Sequence, residues 1–279
     1  MTNYVKTFGL MALMTALFAG VAGLFGGRPA MLAALAFAAA LNLGSYWFSD
    51  RIVLRMYRAR RLDRSEAPDL WRLVDDLRRR AGLPMPALAI APSDQPNAFA
   101  TGRTPQKAVV CVTEGILSLV SREQLAGVLA HELAHIRNRD MLIGTIAATL
   151  SAAVVMLARL GFWFGGDRDR GGIVGGLLML VLAPVAAMLV QMAISRVAEF
   201  RADRIGAEIS GRPRDLADAL LALEGHAERR PLRVNPAAAH LCIVNPLRGG
   251  GVSFASLFRT HPPTEERVRR LNALADGRG

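Results

Sequence analysis

The segment "LAGVLAHELAHIRNRD", residues 125–140, holds two of the five histidines of the chain, His131 and His135, with a glutamate between them. Histidines at positions i and i+4 of a helix project from one face, so both imidazoles can bind one metal ion. A catalytic zinc site takes three protein ligands and a water molecule. The spacing predicts a metal-binding helix on which Glu132 takes a proton from the water and returns it to a leaving amine.

This is the H-E-x-x-H pattern of zinc proteases, although the pattern alone also fits surface histidines on an ordinary helix. A third ligand would decide between the two. Two long apolar blocks follow the motif, and if they form an antiparallel hairpin with Asp167 at its tip, residues equally far from Asp167 lie at one height. His135 lies 32 residues before Asp167 and Glu199 lies 32 residues after it. Glu199 is therefore the predicted third ligand. Asp203, four residues later, is predicted to accept a hydrogen bond from the ring nitrogen of a ligand histidine that does not bind the metal. The alternative is that Glu199 is a solvated acid among neighbouring arginines.

The apolar residues collect in blocks: 52 % of the chain is hydrophobic and the mean hydropathy is +0.28. The blocks are Phe8–Phe25, Ala30–Phe48, Met141–Phe164 and Ile173–Ile194. Each approaches the roughly 20 residues of a membrane-spanning helix. A cleaved signal peptide is the alternative for the first block, and a buried helical pair in a soluble core is the alternative for the last two.

Basic residues indicate the orientation of these blocks. Of the 34 lysines and arginines, 15 lie in residues 50–140 and 14 in residues 196–279. Both segments are therefore predicted to be cytoplasmic, with four spans and both termini inside. Residues 1–49 and 141–195 are the predicted membrane hairpins. The arginines alternate with acidic residues and no nucleic-acid-binding motif is present, so an anionic lipid bilayer is the expected partner and nucleic acid is not.

Residues 49–84, which follow the second apolar block, are predicted to be helical. Two strands, Ala87–Ala91 and Ala108–Thr113, and an intervening loop follow it. Ser121 and Gln124 have the spacing of a capping box at the start of the HELAH helix. Cys111 and Cys242, the two cysteines of the chain, are expected to be free thiols.

The segments "VLAHELAHIRNRD", "EFRADRIGA", "NAFATGR" and "THPPTEERVRRL" together resemble the HtpX family of membrane zinc metalloproteases, which are related more distantly to the CAAX prenyl proteases. The resemblance implies a mainly α membrane protein with four hydrophobic helices and a cytoplasmic α+β, zincin-like protease domain with a small sheet. It implies one zinc ion held by His131, His135 and Glu199, with Glu132 as the base. It also implies quality-control cleavage of misfolded or damaged membrane or cytoplasmic proteins at a bacterial inner membrane.

The resemblance also implies a role for the "NAFATGR" segment, which precedes the strand near the active site. In similar enzymes the edge of the sheet at this segment binds substrate. An extended peptide adds to an exposed strand by backbone hydrogen bonds, here at Asn97, Ala98 and Phe99. The alternative is a hairpin turn with Phe99 in the core.

His261 in "THPP" is the predicted donor for the oxyanion, and Arg267 is predicted to orient it or to contact substrate. The alternative for His261 is a structural hydrogen bond. His226 and His240 are interpreted as ordinary surface or core residues.

Two other functions remain open at this point. One is a processing protease of the prenyl-protease type that cuts a defined site. The other is a membrane scaffold whose metal is structural, which would need a fourth protein ligand. The sequence also leaves a homo-oligomer open.

Overall fold

The computed structural model describes residues 3–147, 150, 196–229, 241–244 and 262–277. These residues are mostly helical and include one small sheet. The helices are α1 Asn3–Trp47, α2 Ser49–Met56, α3 Pro68–Ala81, α4 Glu114–Leu119, α5 Arg122–Asn138, α6 Arg196–Ser210, α7 Pro213–Arg229 and α8 Thr264–Ala275, and residues 141–147 are also helical. The strands are β1 Arg60–Leu62, β2 Ala87–Ala91, β3 Ala98–Thr101 and β4 Val109–Thr113.

Helix α1 folds back on itself at Gly27, whose φ of 63° and ψ of −160° are not helical. Glycine adopts this left-handed backbone without the steric cost that a Cβ adds. The two arms meet through Asn42, whose Nδ2 donates to the carbonyl of Met11 at 3.3 Å and to Oγ1 of Thr15 at 2.9 Å. These contacts join residues about 30 positions apart, so the arms run antiparallel. The amide side chain of Asn42 thereby finds acceptors in otherwise apolar surroundings.

One helix of the described residues, Gly27–Trp47, is long and apolar enough to cross a membrane. The first arm contains a shorter apolar helix, Thr7–Gly20. The third and fourth predicted blocks lie outside the described residues, except for 141–147 and 150. Leu142 of that part packs with Leu10 of α1 in an apolar cluster. The start of the third block therefore lies against the first arm of α1.

The sheet is mixed and has the strand order β1-β2-β4-β3. Strands β2 and β4 are parallel, whereas β1 pairs with β2 and β3 pairs with β4 in antiparallel fashion. The prediction of two strands is confirmed at β2, and β4 begins one residue later than predicted. Strand β3 lies on the edge of the sheet among the described residues.

Two parts of the secondary-structure prediction were wrong. The stretch predicted to be helical from residue 49 to residue 84 is interrupted by β1. Helix α2 ends because Arg58 has a φ of 51°, which turns the chain toward β2. The predicted loop before β4 contains β3, since its alternating small and apolar residues pair with β4. Strand β1 depends on a partner that lies about 26 to 30 residues later in the chain, whereas β3 pairs with the next strand along the chain, and local periodicity registers neither pairing.

Helix α5, which carries the histidines, is buried on several sides. It packs against α3, β3, α6 and α7. Its apolar face includes Val128, Leu129 and Ile136, all in the main core. The predicted capping box is confirmed: Ser121 Oγ accepts from the Gln124 amide, and Gln124 Oε1 accepts from the Ser121 amide. Helix α5 is thus fixed at its start and along its length.

The fold of α1 predicts a specific cross-link. A Thr15→Cys, Asn42→Cys variant should be joined by a short thiol-reactive cross-linker, because the two side chains are in contact. A Thr15→Cys, Leu32→Cys variant is the matched control. Residue 32 lies roughly 15 Å from residue 42 along the second arm, on the side of the turn at Gly27. Gel mobility of the full chain in detergent reports the product. Equal cross-linking of both pairs would contradict the antiparallel arrangement.

Candidate metal centre

Three side chains bring one potential metal-binding atom each to a single point: His131, His135 and Glu199. The two Nε2 atoms are 3.2 Å apart, and the carboxylate oxygens of Glu199 lie 3.4 Å from His135 Nε2 and 3.8 Å from His131 Nε2. A tetrahedral zinc ion with bonds of about 2.0–2.1 Å holds its ligand atoms about 3.3–3.4 Å apart. The donor atoms are therefore close enough together to bind one metal ion.

The charges around these donors also fit a cation. Glu132, Glu199 and Asp203 are all buried, and Arg267 is the buried guanidinium among them. Three buried acidic side chains therefore face one buried guanidinium. Buried charges require compensation, and a divalent cation would supply it.

Asp203 supports the first histidine. Its Oδ1 lies 2.9 Å from His131 Nδ1, a contact that meets the distance of a hydrogen bond but not its angle. Arg267 donates to both oxygens of Asp203, at 2.8 and 2.7 Å, and also to the carbonyl of Ile243. Burial would raise the pKa of Asp203, but the charge of Arg267 outweighs it and lowers the pKa to about 2. Asp203 is therefore an anion behind the ring of His131, where it can orient a ligand.

Asp140 supports the second histidine, and sequence reasoning missed it. Its Oδ2 lies 3.3 Å from His135 Nδ1, and its Oδ1 accepts from Arg201 of α6. Burial alone lowers the pKa of His135, but hydrogen bonds to Asp140 and Glu199 raise it well above its ordinary value. Such an acidic environment favours a cation at the ring. The signal in the sequence was the acid directly after the end of α5, where the chain turns back.

Glu132 lies between the donor atoms and strand β3. Its Oε2 accepts a hydrogen bond from the backbone amide of Ala100 at 2.8 Å. Burial, the largest effect, raises the pKa of Glu132 above its ordinary value. A carboxylate with a raised pKa is suited to taking up and returning a proton near neutral pH. The amide of Ala100 faces the site, and so does that of Ala98 two residues earlier on the same side of β3.

Close contact between α5 and α6 places Glu199 beside the histidines. A Cβ added to Gly206 would lie 2.9 Å from both Cα and N of His131. Only glycine at this position lets the two helix backbones approach so closely. Sequence reasoning did not single out Gly206, although its place one turn beyond Asp203 on the same helix was a usable signal.

The remaining predicted residues have different environments. Asn97 is buried and its side chain bridges the backbone of Leu241 and Ile243. Ala98 and Phe99 are buried in β3, and the ring of Phe99 packs on Tyr57 with centroids 4.6 Å apart. Phe99 is thus in the core, as the alternative expected, but in a strand and not in a turn.

The predicted roles of His261 and Arg267 stay predictions. His261 and His240 lie outside the described residues. Arg267 is 1 % exposed and its guanidinium faces Asp203 and Ile243. His226 is a half-buried residue of α7. Cys111 and Cys242 are free thiols, as predicted, and both are also buried.

A helix with the H-E-x-x-H pattern, a glutamate from a second helix and a neighbouring edge strand define a metal-dependent peptidase site. Comparison with known proteins agrees with this class. The family model for peptidase family M48 matches residues 64–275. A protease HtpX homolog of Salinibacter ruber is 55 % identical over 273 residues, covering 98 % of each chain. A protease HtpX homolog of Thermococcus sibiricus is 50 % identical over 286 residues, covering 99 % of this chain and 97 % of the other.

The chain therefore belongs to peptidase family M48 and to its HtpX proteases, and it is a membrane metalloprotease. Its fold is similar to that of Ste24p from S. mikatae, with a TM-score of 0.52 and 16 % identity. That match covers 97 % of this chain and 65 % of the Ste24p chain, so this chain spans about two-thirds of that length. The resemblance to the HtpX family inferred from the motifs is confirmed.

The close packing at Gly206 predicts a loss of metal binding on substitution. Gly206→Ala should destabilise the protein by about 1–3 kcal/mol and weaken metal affinity, because backbone atoms of His131 must move. Gly225→Ala is the control: it is also within a helix, and its Cβ would meet only the side chain of Arg229 at 3.5 Å. This control should be neutral or stabilising. Thermal unfolding and zinc titration of both variants check the prediction, and equal behaviour would refute it.

Proposed function

We propose that this protein is a zinc endopeptidase that cuts misfolded or damaged membrane proteins at the cytoplasmic face of the membrane. In this proposal residues 1–49 and 141–195 form membrane hairpins, giving four spans with both termini inside. Residues 50–140 and 196–279 form the cytoplasmic protease. The observation that carries the proposal is the convergence of His131, His135 and Glu199 beside Glu132.

The site residues have distinct roles. His131, His135 and Glu199 hold the ion, with Asp203 and Asp140 behind the two rings. When bound, a zinc ion supplies Lewis-acid chemistry, polarising the scissile carbonyl and lowering the pKa of a water molecule. Glu132 takes the proton of the attacking water and passes it to the leaving amine. His261 is proposed to donate to the developing oxyanion, and Arg267 to act through its contact with Asp203.

Substrate recognition is proposed to use the outer edge of β3. The amides of Ala98 and Ala100 face the site, and Glu132 already accepts from Ala100. A substrate strand added here would carry its scissile bond past the metal ligands. Because the bonds are to backbone, many sequences can bind, which suits an enzyme that removes damaged proteins.

The location of the site supports a membrane substrate. Thr101, at the end of β3, contacts Thr145 in the helical segment after α5, with 3.1 Å between their Oγ1 atoms. The same segment packs on α1 through Leu142 and Ile146. The protease site therefore adjoins the apolar part of the molecule, where membrane proteins and their cytoplasmic tails would enter.

Two other proposals differ in what they require. A structural metal needs a fourth protein ligand, whereas the candidate cluster among the described residues has three. A processing protease would use the same centre but cut one site only. The proposal of broad cleavage therefore requires a test with unrelated unfolded chains.

Glu132→Gln should abolish cleavage while keeping the metal. The change preserves shape but removes the base, so kcat should fall about 10²–10⁴-fold. Zinc-loaded full-length protein in detergent, incubated with an unfolded protein, gives the rate, and metal analysis gives the zinc content. A chelator added to wild type is the control. Cleavage by both proteins would remove Glu132 as the base, and cleavage by neither would favour processing or a scaffold.

Ala98→Pro tests the substrate edge. Proline removes an amide that faces the site and takes no part in the pairing with β4, so the sheet should form. Loss of one backbone bond to substrate should lower kcat/KM about tenfold with zinc content unchanged. Ala98→Gly is the matched control, since it alters the side chain and keeps the amide. If the two variants cleave equally, the substrate does not bind along β3.

A further inference from the structure

An open cavity of about 1070 Å³ lies between the end of α1 and the sheet. Its walls come from the last turns of α1, from α2 and α3, and from the loop between β3 and β4. Trp47, Trp71 and Arg103 are among its lining residues. None of the metal ligands lines it, so this cavity is separate from the protease site.

Two residues that line this cavity carry a hydrogen-bond donor without an acceptor among the described residues. Trp71 Nε1 and Arg103 Nη1 are buried and have no hydrogen-bond partner among the described residues. They come from different elements, α3 and the loop after β3, yet both residues line the same space. A buried donor left unsatisfied costs free energy, more so when it is charged. A ligand that offers several acceptor oxygens would satisfy both.

The cavity is also positively charged. Arg51, Arg61, Arg103 and Lys107 line it, together with one acid, Asp50. Asp50 pairs with Arg61 at 3.0 Å. Arg51, Arg103 and Lys107 therefore contribute positive charge that no carboxylate of the cavity wall neutralises. Acceptor oxygens with negative charge, as in a phosphate group, are the matching chemistry.

The cavity lies at the end of the apolar helix that can cross a membrane. That helix ends at Trp47. The side chain of Trp47 is 56 % exposed, and that of Phe48, the next residue, is 50 % exposed. Exposed aromatic residues at a helix end favour the lipid headgroup region. The guanidinium of Arg103 lies 4.1 Å from the centre of the Trp47 ring, and that of Arg51 lies 5.6 Å from the Phe48 ring. The two guanidinium groups thus lie beside the exposed aromatic residues at this helix end.

We propose that this cavity binds the phosphate of an anionic membrane lipid. Arg103 and Lys107 pair with the phosphate, and Trp71 Nε1 donates to a headgroup oxygen. The acyl chains leave along the exposed side of the second arm of α1, past Leu43. The inference does not depend on proteolysis. It depends on the membrane location and on the arm that ends at Trp47.

Lipid binding to the delipidated full-length protein in detergent, followed by native mass spectrometry, tests the proposal. Phosphatidylglycerol should bind one per chain and at least tenfold more tightly than phosphatidylcholine, whose choline cancels the charge. Inorganic phosphate at equal concentration should not displace it, because phosphate alone lacks the acyl contacts. Equal affinity for both lipids, or displacement by phosphate, would overturn the lipid assignment.

Variants locate the lipid. Arg103→Gln with Lys107→Gln should weaken phosphatidylglycerol binding about thirtyfold. Arg122→Gln with Arg269→Gln removes the same charge from exposed positions outside the cavity and should leave binding unchanged. Trp71→Phe keeps an aromatic side chain, although a smaller one, and loses the Nε1 donor. It should weaken binding about fivefold even if the double variant folds poorly. Equal binding by both double variants, together with unchanged binding by Trp71→Phe, would refute the site.

Discussion

The guanidinium of Arg267 donates to both carboxylate oxygens of Asp203 where water has no access. This pair joins α8 to α6, and Asp203 in turn lies against His131 of α5. A buried charge without a partner is strongly destabilising, so each of the two groups fixes the other. The position of the first metal ligand therefore depends on a residue more than 130 positions later in the chain.

The same pair connects the candidate metal centre to strand β3. The remaining amino group of Arg267 donates to the carbonyl of Ile243. The side chain of Asn97 also binds the segment 241–243, because it donates to the carbonyl of Leu241 and accepts from the amide of Ile243. Asn97 directly precedes β3, the strand whose Ala100 amide binds Glu132. The candidate metal ligand His131, the carboxylate of Glu132 and strand β3 thus share one set of buried polar contacts. These contacts explain how segments distant in sequence keep a common geometry.

The sequence predicted what helical spacing and chain symmetry determine. The pair His131 and His135 was predicted from the period of one helix, and Glu199 from an assumed hairpin whose arms lie almost wholly outside the described residues. Asp140 and β1 were missed because each depends on a change of chain direction, at Arg139 and at Arg58, where a residue other than glycine has a positive φ. The pairing of Glu132 with Ala100 was also missed. It depends on packing between a helix and a strand, and no local pattern encodes that packing.

The turn at the end of α5 links the protease site to the apolar segment that follows. Arg139 has a φ of 58°, and this left-handed turn lets the Asp140 amide donate to the carbonyl of His135. The turn brings the Asp140 carboxylate to Nδ1 of the same histidine. The chain then continues at once into residues 141–147, which pack on α1. One backbone turn therefore sets both the orientation of a candidate metal ligand and the entry of the chain into the helical segment 141–147.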